Sequence, residues 1–284
     1  MSERIAIVGV GLIGGSFGLA LKAAGHEGER VGIGRDPGRL QQAVERGAVD
    51  RVETDAAAGV AGADVVLLAV PMGAMRASLE AIRPGLGAGA VVTDAGSTKR
   101  SFVDDARAVL GSLERVVPGH PVAGTERSGV AAAFPELFRD RRVILTPDAE
   151  TDPDAITLVE RLWGLAGARV ERLGVDDHDR LLAATSHLPH MLAFGLVDAL
   201  ARDPEADALF RYAAGGFRDF TRIASSDPVM WSDICIANRG PLLRALEAYR
   251  ADLDALTAEV RSGDAEGLRE RFTRAKTARD RYCE

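Results

Sequence analysis

Apolar residues recur along this chain in two rhythms. Up to about residue 173, short β-branched runs alternate with amphipathic stretches. RIAIVGV (4–10), RVGIG (30–34), DVVLLAV (64–70), AVVTDAG (90–96), RVVPG (115–119), RVILTP (142–147) and ARVERL (168–173) read as strands. Between them GGSFGLALKAAG, RLQQAVERG, AMRASLEAIRPGL, SFVDDARAVLG and DAITLVERLWGLAG carry helical spacing. Continuous apolar strands separated by helices predict a parallel sheet covered on both faces. Beyond residue 175 the strand runs stop. VDDHDRLLAATSHLPHMLAFGLVDALA, PEADALFRYAAGGFRDFTRIA and the segments that follow read as helices broken at Gly and Pro. Several are apolar on more than one side, which predicts buried helices or a helical dimer interface. The pattern gives an α/β domain over residues 1–174 and an all-α domain over 175–284.

Composition narrows the function classes. A net charge of -7 lacks the basic face that nucleic-acid binding requires. No apolar run reaches membrane-spanning length; VVLLAV at 65–70 is strand-sized. The first residues lead straight into a strand pattern, so no signal peptide is expected. With two cysteines, Cys235 and Cys283, the chain has neither a disulfide framework nor a zinc cluster, and a reducing cytoplasm is the expected compartment. Lys22, Lys99 and Lys276 are the three lysines, so arginine carries nearly all the positive charge and a single Arg says little about an anion site.

The first strand runs into G9-V-G-L-I-G14, and a helix follows at once. This is G-x-G-x-x-G in its strand–turn–helix setting, the mark of a Rossmann-like dinucleotide-binding domain. Gly9 makes the turn, Gly11 lets the backbone approach a pyrophosphate, and Gly14 permits close helix–strand packing. Leu12 and Ile13 complete the loop, and Val70 and Pro71 end a neighbouring strand at the same cofactor. The second strand ends in Gly34-Arg35-Asp36. With Gly34 in the acidic ribose position and Arg35 beside it, NADP is favoured; with Asp36 in that position, NAD is. The reading leans to NADP.

A base is needed for hydride chemistry at a hydroxyl-bearing carbon, and histidine suits it near neutral pH. The chain has five histidines. His26 reads as solvated in a polar turn, and His178, among the carboxylates of VDDHDR, as surface or capping. His120 lies in GHPVAGTERSG (119–129), which has neither helical nor strand period and reads as an ordered loop at the ligand-binding end of the sheet. His187 and His190, in TSHLPH, are too few for a metal site and fit the lining of an anionic-substrate pocket. GGFRDFTRIASSDPVMW (215–231) places Arg218 and Arg222 four apart, with Asp219 positioned to pair with Arg222 or cap locally. Its glycines and aromatics argue for a constrained segment in which a guanidinium holds a carboxylate.

Taken together, VGVGLIGGS, VTDAGSTK (92–99), GHPVAGTERSG, TSHLPH and GGFRDFTRIASSDPVMW resemble the prephenate dehydrogenase family of tyrosine biosynthesis, in family order and over about four fifths of the chain. The resemblance implies a Rossmann-like domain, a helical substrate-binding and dimerisation domain, and a homodimer. It implies oxidative decarboxylation of a cyclohexadienyl substrate, prephenate or arogenate, with NAD(P)+. His120 would accept the C4 hydroxyl proton, and Ser97 would orient that histidine or the hydroxyl. Arg222 would bind the ring carboxylate, and His190 would lie near the side chain. His187 would support them, with Glu126 and Asp219 as a charged rim or gate. No metal is required. The chain starts at the first Rossmann strand and ends soon after the last helix, so neither a mutase module nor a regulatory ACT domain is expected.

Two rivals remain at this point. A β-hydroxy acid dehydrogenase would want a catalytic lysine early in the helical domain, where none stands. A non-catalytic NAD(P)-binding redox sensor would explain the glycine loop but leave His120, His190 and Arg222 without a task.

Overall fold

The computed structural model describes residues 3–125 and 127–282. Glu126, proposed above for the rim, and Cys283 therefore lie outside the described residues. Contacts divide the chain into two compact units, Met1–Arg239 and Gly240–Glu284.

The first unit begins with β1 (Ile5–Val8), α1 (Leu12–Ala23), β2 (Arg30–Ile33), α2 (Pro37–Glu45), β3 (Arg51–Glu53), α3 (Ala56–Val60), β4 (Val65–Leu68), α4 (Met75–Ile82), β5 (Val91–Asp94), α5 (Arg100–Leu110) and β6 (Val116–Val117). These strands form one parallel sheet in the order β3-β2-β1-β4-β5-β6. Alternate residues of each strand point to opposite faces. Ile5, Ile7, Val65 and Leu67 therefore enter one buried cluster with Phe17, Phe138 and Trp163. Ala6, Val8, Val66 and Leu68 enter another with Leu79 and Phe102. The double covering expected from the apolar runs is present.

A second, three-stranded sheet follows, built from β7 (Gly119–Pro121), β8 (Arg142–Leu145) and β9 (Arg169–Arg172), with α6 (Pro153–Leu165) between the last two. β7 pairs antiparallel with β8, and β8 parallel with β9. The sequence places RVILTP and ARVERL with the other strands, but they form this separate sheet. The start of GHPVAGTERSG is likewise a strand and not a loop, with His120 paired to Ile144. Three residues are too few to display a period, so β7 exists through its partner. The short β3 was missed for the same reason.

The unit closes with helices: α7 (Val175–Leu182), a π-helical turn at Ala183–His187, α8 (Leu188–Ala201), α9 (Ala206–Arg211), α10 (Gly215–Thr221), a 3₁₀ turn at Arg222–Ser225, and α11 (Pro228–Ala237). In the second unit α12 (Arg239–Ser262) and α13 (Ala265–Tyr282) turn at Gly263, whose φ is +70°, and are tied by Arg271 Nη2 donating to Glu259 Oε1 at 2.7 Å. Among the described residues no helix is long and apolar enough to cross a membrane.

Candidate active site

Parallel strands deliver their C-terminal ends to one edge of the sheet, and the order reverses between β1 and β4, where ligands of such sheets bind. The glycine loop leaves β1 at this edge. Gly9 has φ +91°, and a Cβ there would lie 2.5 Å from Ala69 O and 2.9 Å from Val70 Cγ1. A Cβ on Gly14 would lie 2.3 Å from Gly9 O. Only glycine therefore lets α1 start so close to β1 and β4. Gly11 differs: a Cβ there would meet nothing within 4 Å, so its exposed side is open to a ligand. No side chain caps α1, and no acidic residue stands in its first turn. Its free amides and positive dipole end suit a pyrophosphate. Leu12 and Ile13 are half-buried against the core, and Val70 and Pro71 follow β4 at the same edge. These residues fit a dinucleotide.

At the end of β2, Gly34 donates its amide to Glu53 O, and Arg35 beyond it is exposed. Asp36 caps α2, its Oδ1 accepting from the amides of Gly38 at 2.9 Å and Arg39 at 3.2 Å.

His120 stands beside this edge and is 8% exposed. Its backbone is held through the preceding residue. Asp94, the last residue of β5, accepts from Gly119 N at 3.0 Å, and Lys99 Nζ donates to Gly119 O at 2.6 Å. Lys99 also donates to Asp94 at 2.5 Å, and both side chains are wholly buried. Burial lowers the Lys99 pKa and raises that of Asp94, against their mutual attraction. Ser97, half-buried, lies in the short turn between the two clamping residues.

The side chain of His120 meets a histidine that local sequence places at the surface. His178 is fully buried on α7, with its Nε2 2.8 Å from His120 Nδ1 and its Nδ1 2.8 Å from Asp179 Oδ1. Asp179 also accepts from the backbone amides of Lys99 at 2.8 Å and Arg100 at 2.9 Å. Burial raises its pKa, but these hydrogen bonds outweigh it and hold the carboxyl below its ordinary value. His26 is corrected too. Its side chain is only 4% exposed, with Nε2 3.6 Å from Glu3 Oε2. For His120 itself, burial first, then the charges of His178, Lys99 and His187, push the pKa well below the ordinary imidazole value. The ring is therefore neutral at physiological pH.

The TSHLPH segment enters from the helical side. Asn238, buried at the end of α11, donates through Nδ2 to Asp179 O at 2.9 Å and to His187 Nδ1 at 3.0 Å. Burial lowers the His187 pKa to about 4, so this ring is neutral. His190 donates Nδ1–H to Ser186 O at 2.9 Å and stacks on Trp231, with centroids 3.6 Å apart. Burial and the nearby Arg222 lower its pKa, while the bond to Ser186 opposes them. Arg222 opens the 3₁₀ turn after α10, exposed and close enough to His190 to act on its charge. Asp219 is exposed on α10. Lys99, Asp94, His178, Asp179 and Asn238 were missed as site residues; DAGSTK was the one available signal, since a lysine is scarce in this chain.

Removing one partner of a buried ion pair costs about 3–5 kcal/mol. We therefore expect Lys99→Met to lose about that much stability in urea unfolding, and the double variant Asp94→Asn/Lys99→Met to recover part of it. Equal losses in the single and double variants would show that the pair is not what holds Gly119.

Comparisons with known proteins agree with this geometry. Residues 17–172 match the family model of the prephenate dehydrogenase nucleotide-binding domain, and residues 175–274 that of the prephenate dehydrogenase dimerization domain. The cyclohexadienyl dehydrogenase of Zymomonas mobilis is 38% identical over 98% of this chain and 95% of its own length. The prephenate dehydrogenase of Bacillus subtilis is 38% identical over 99% of this chain and 76% of its own. The crystal structure of Aquifex aeolicus prephenate dehydrogenase with hydroxyphenyl propionate and NAD+ superposes with a TM-score of 0.92, at 38% identity and 98% coverage of both chains. The chain belongs to the prephenate dehydrogenase family.

Proposed function

We propose that this protein converts prephenate to 4-hydroxyphenylpyruvate and carbon dioxide with NAD(P)+, using His120 as the base. The observation that carries the reading is a buried, neutral imidazole clamped beside a dinucleotide-binding edge. Bound NAD(P)+ would supply the hydride acceptor. His120 takes the proton of the C4 hydroxyl, which lets the C–O bond gain carbonyl character as the C4 hydride departs. Loss of the ring carboxylate as carbon dioxide then leaves a phenolate, which takes back the proton held by His120 and becomes the phenol. Aromatisation favours that step, so the protein's task is placement, an effect that contributes several kcal/mol to a barrier.

Ser97 orients the hydroxyl or His120 from the turn between Asp94 and Lys99. Arg222 binds the ring carboxylate, and Asp219 stands on the charged rim around it. His190, kept rigid by Trp231 and Ser186, meets the substrate side chain, with His187 behind it. The match to a dimerization domain supports a homodimer. So do the exposed apolar side chains of the helical part, such as Tyr212, Val229 and Ile236. The compartment we favour is the cytoplasm.

For the cofactor we favour NADP+. Gly34 offers no carboxylate to repel a 2′-phosphate, Arg35 is exposed beside it, and the carboxylate of Asp36 is engaged in capping α2.

His120→Asn should retain cofactor affinity and lower kcat about 10²–10⁴-fold, the usual range for a positioned acid–base group. Because the His120 pKa is lowered, the wild-type kcat/KM should stay on its plateau down through the ordinary imidazole range near 6.5 and fall only below it. Near-normal turnover in the variant would remove His120 from the chemistry.

Arg35→Ala should weaken NADP+ by about tenfold or more, since a charge-assisted bond contributes roughly 1.5–3 kcal/mol, while leaving NAD+ nearly unchanged. Equal KM effects on the two cofactors would mark Arg35 as solvated surface.

A bond of the same kind to the substrate carboxylate predicts that Arg222→Ala raises the prephenate KM about tenfold or more. Cofactor KM should hold. Should it collapse instead, Arg222 is not the carboxylate anchor.

A further inference from the structure

The chain of contacts behind His120 fixes more than its position. An ionised carboxylate can only accept hydrogen bonds. Asp179 is held in that form by His178 and by the Lys99 and Arg100 amides, so the proton in its contact with His178 lies on His178 Nδ1. A neutral imidazole carries one N–H. Where His178 carries that one N–H, its Nε2 is the acceptor, and the 2.8 Å contact with His120 Nδ1 places the proton between them on His120. His120 is left with Nδ1–H and an unprotonated Nε2.

We propose that His178, oriented by Asp179, is a positioning residue that selects this tautomer of His120 and so keeps Nε2 free to act as the base. The proposal rests on the reading of His120 given above. In the step it serves, the substrate O–H bond breaks and an Nε2–H bond forms, with no rearrangement behind the ring, because Nδ1 already donates to His178. The imidazolium so formed still donates from Nδ1 to His178 and, through that ring, faces the Asp179 carboxylate. A carboxylate that orients a catalytic histidine in this way sets its tautomer in serine proteases, where exchanging it for an amide leaves the geometry and costs the rate.

The groups that face His120 come from three elements. They are His178 and, through it, Asp179 on α7, Lys99 before α5, and His187 in the π-helical turn. Lys99 is neutralised by Asp94. His187 already satisfies its Nδ1 with Asn238. Among the described residues, His178 is the hydrogen-bonding partner of the His120 ring, and the tautomer follows from it.

The test is the protonation pattern of the rings in the intact wild-type protein. Long-range ¹H–¹⁵N correlation on histidine-labelled enzyme, assigned with His120→Asn and His178→Phe, should show His120 protonated on Nδ1 and bare on Nε2 at neutral pH. His120 carrying its proton on Nε2, or His178 protonated on both nitrogens, overturns the proposal. In kinetics, His178→Phe should lower kcat roughly 10²-fold or more, in the range of a lost acid–base function, with cofactor KM unchanged. His178→Gln, whose side-chain carbonyl still accepts from Nδ1–H, should recover part of that loss. A purely structural role would instead move kcat with thermal stability and leave the His120 tautomer as it was. The failures are separable. A reversed tautomer with turnover lost in His120→Asn sinks the relay alone. The expected tautomer with turnover intact in His120→Asn sinks the base, and with it the use of the relay.

Discussion

Much of this site depends on one buried ion pair. Asp94 ends β5, and Lys99 stands five residues on, where the chain turns into α5. Together they grip both polar groups of the Gly119 peptide, one accepting from its amide and the other donating to its carbonyl. Such a pair is rarely a source of net stability, because desolvating two charges offsets most of their attraction. Its effect here is geometric. It ties the first residue of β7, which belongs to the second sheet, to the end of a strand in the first. His120 follows immediately, so its position is referred to the sheet whose edge holds the glycine loop.

The same turn serves a second purpose. The amides of Lys99 and Arg100 open α5 and lack partners within that helix; Asp179 accepts from both. The carboxylate is thereby placed in the favourable field of a helix N-terminus and aimed at His178. One six-residue turn, Asp94 to Lys99, thus fixes His120 through its backbone and through its side chain, and carries Ser97 between the two fixtures.

What the sequence made legible was what local pattern encodes. The continuous apolar runs IAIV and VVLL announced a sheet buried on both faces, and the glycine loop stood in its strand–turn–helix context. The charged group VDDHDR misled for a physical reason. Asp176 and Arg180 do face solvent, and a run of charges usually marks such a surface. On a helix, however, consecutive residues point in different directions, and His178 and Asp179 turn inward while their neighbours do not. What satisfies them lies 58 and 80 residues away, at His120 and Lys99. No window on the sequence spans that distance. Asn238 was hidden likewise, since it reads as the polar end of a helix, yet it joins Asp179 to His187.

Charge balance gives the arrangement its sense. In the buried network behind His120, Asp94 and Lys99 cancel, and burial holds His187 in its neutral form. The Asp179 carboxylate is held by two backbone amides and by the His178 ring. A buried carboxylate is costly to desolvate. On the proposed reading of His120 as the base, the imidazolium formed by proton transfer would face that negative charge through His178. The environment would then be matched to the charge that develops during the reaction and not to the resting ring. Dipoles and charges fixed in advance in a site closed to water need no reorganisation at the moment of reaction, which is where most electrostatic catalysis arises.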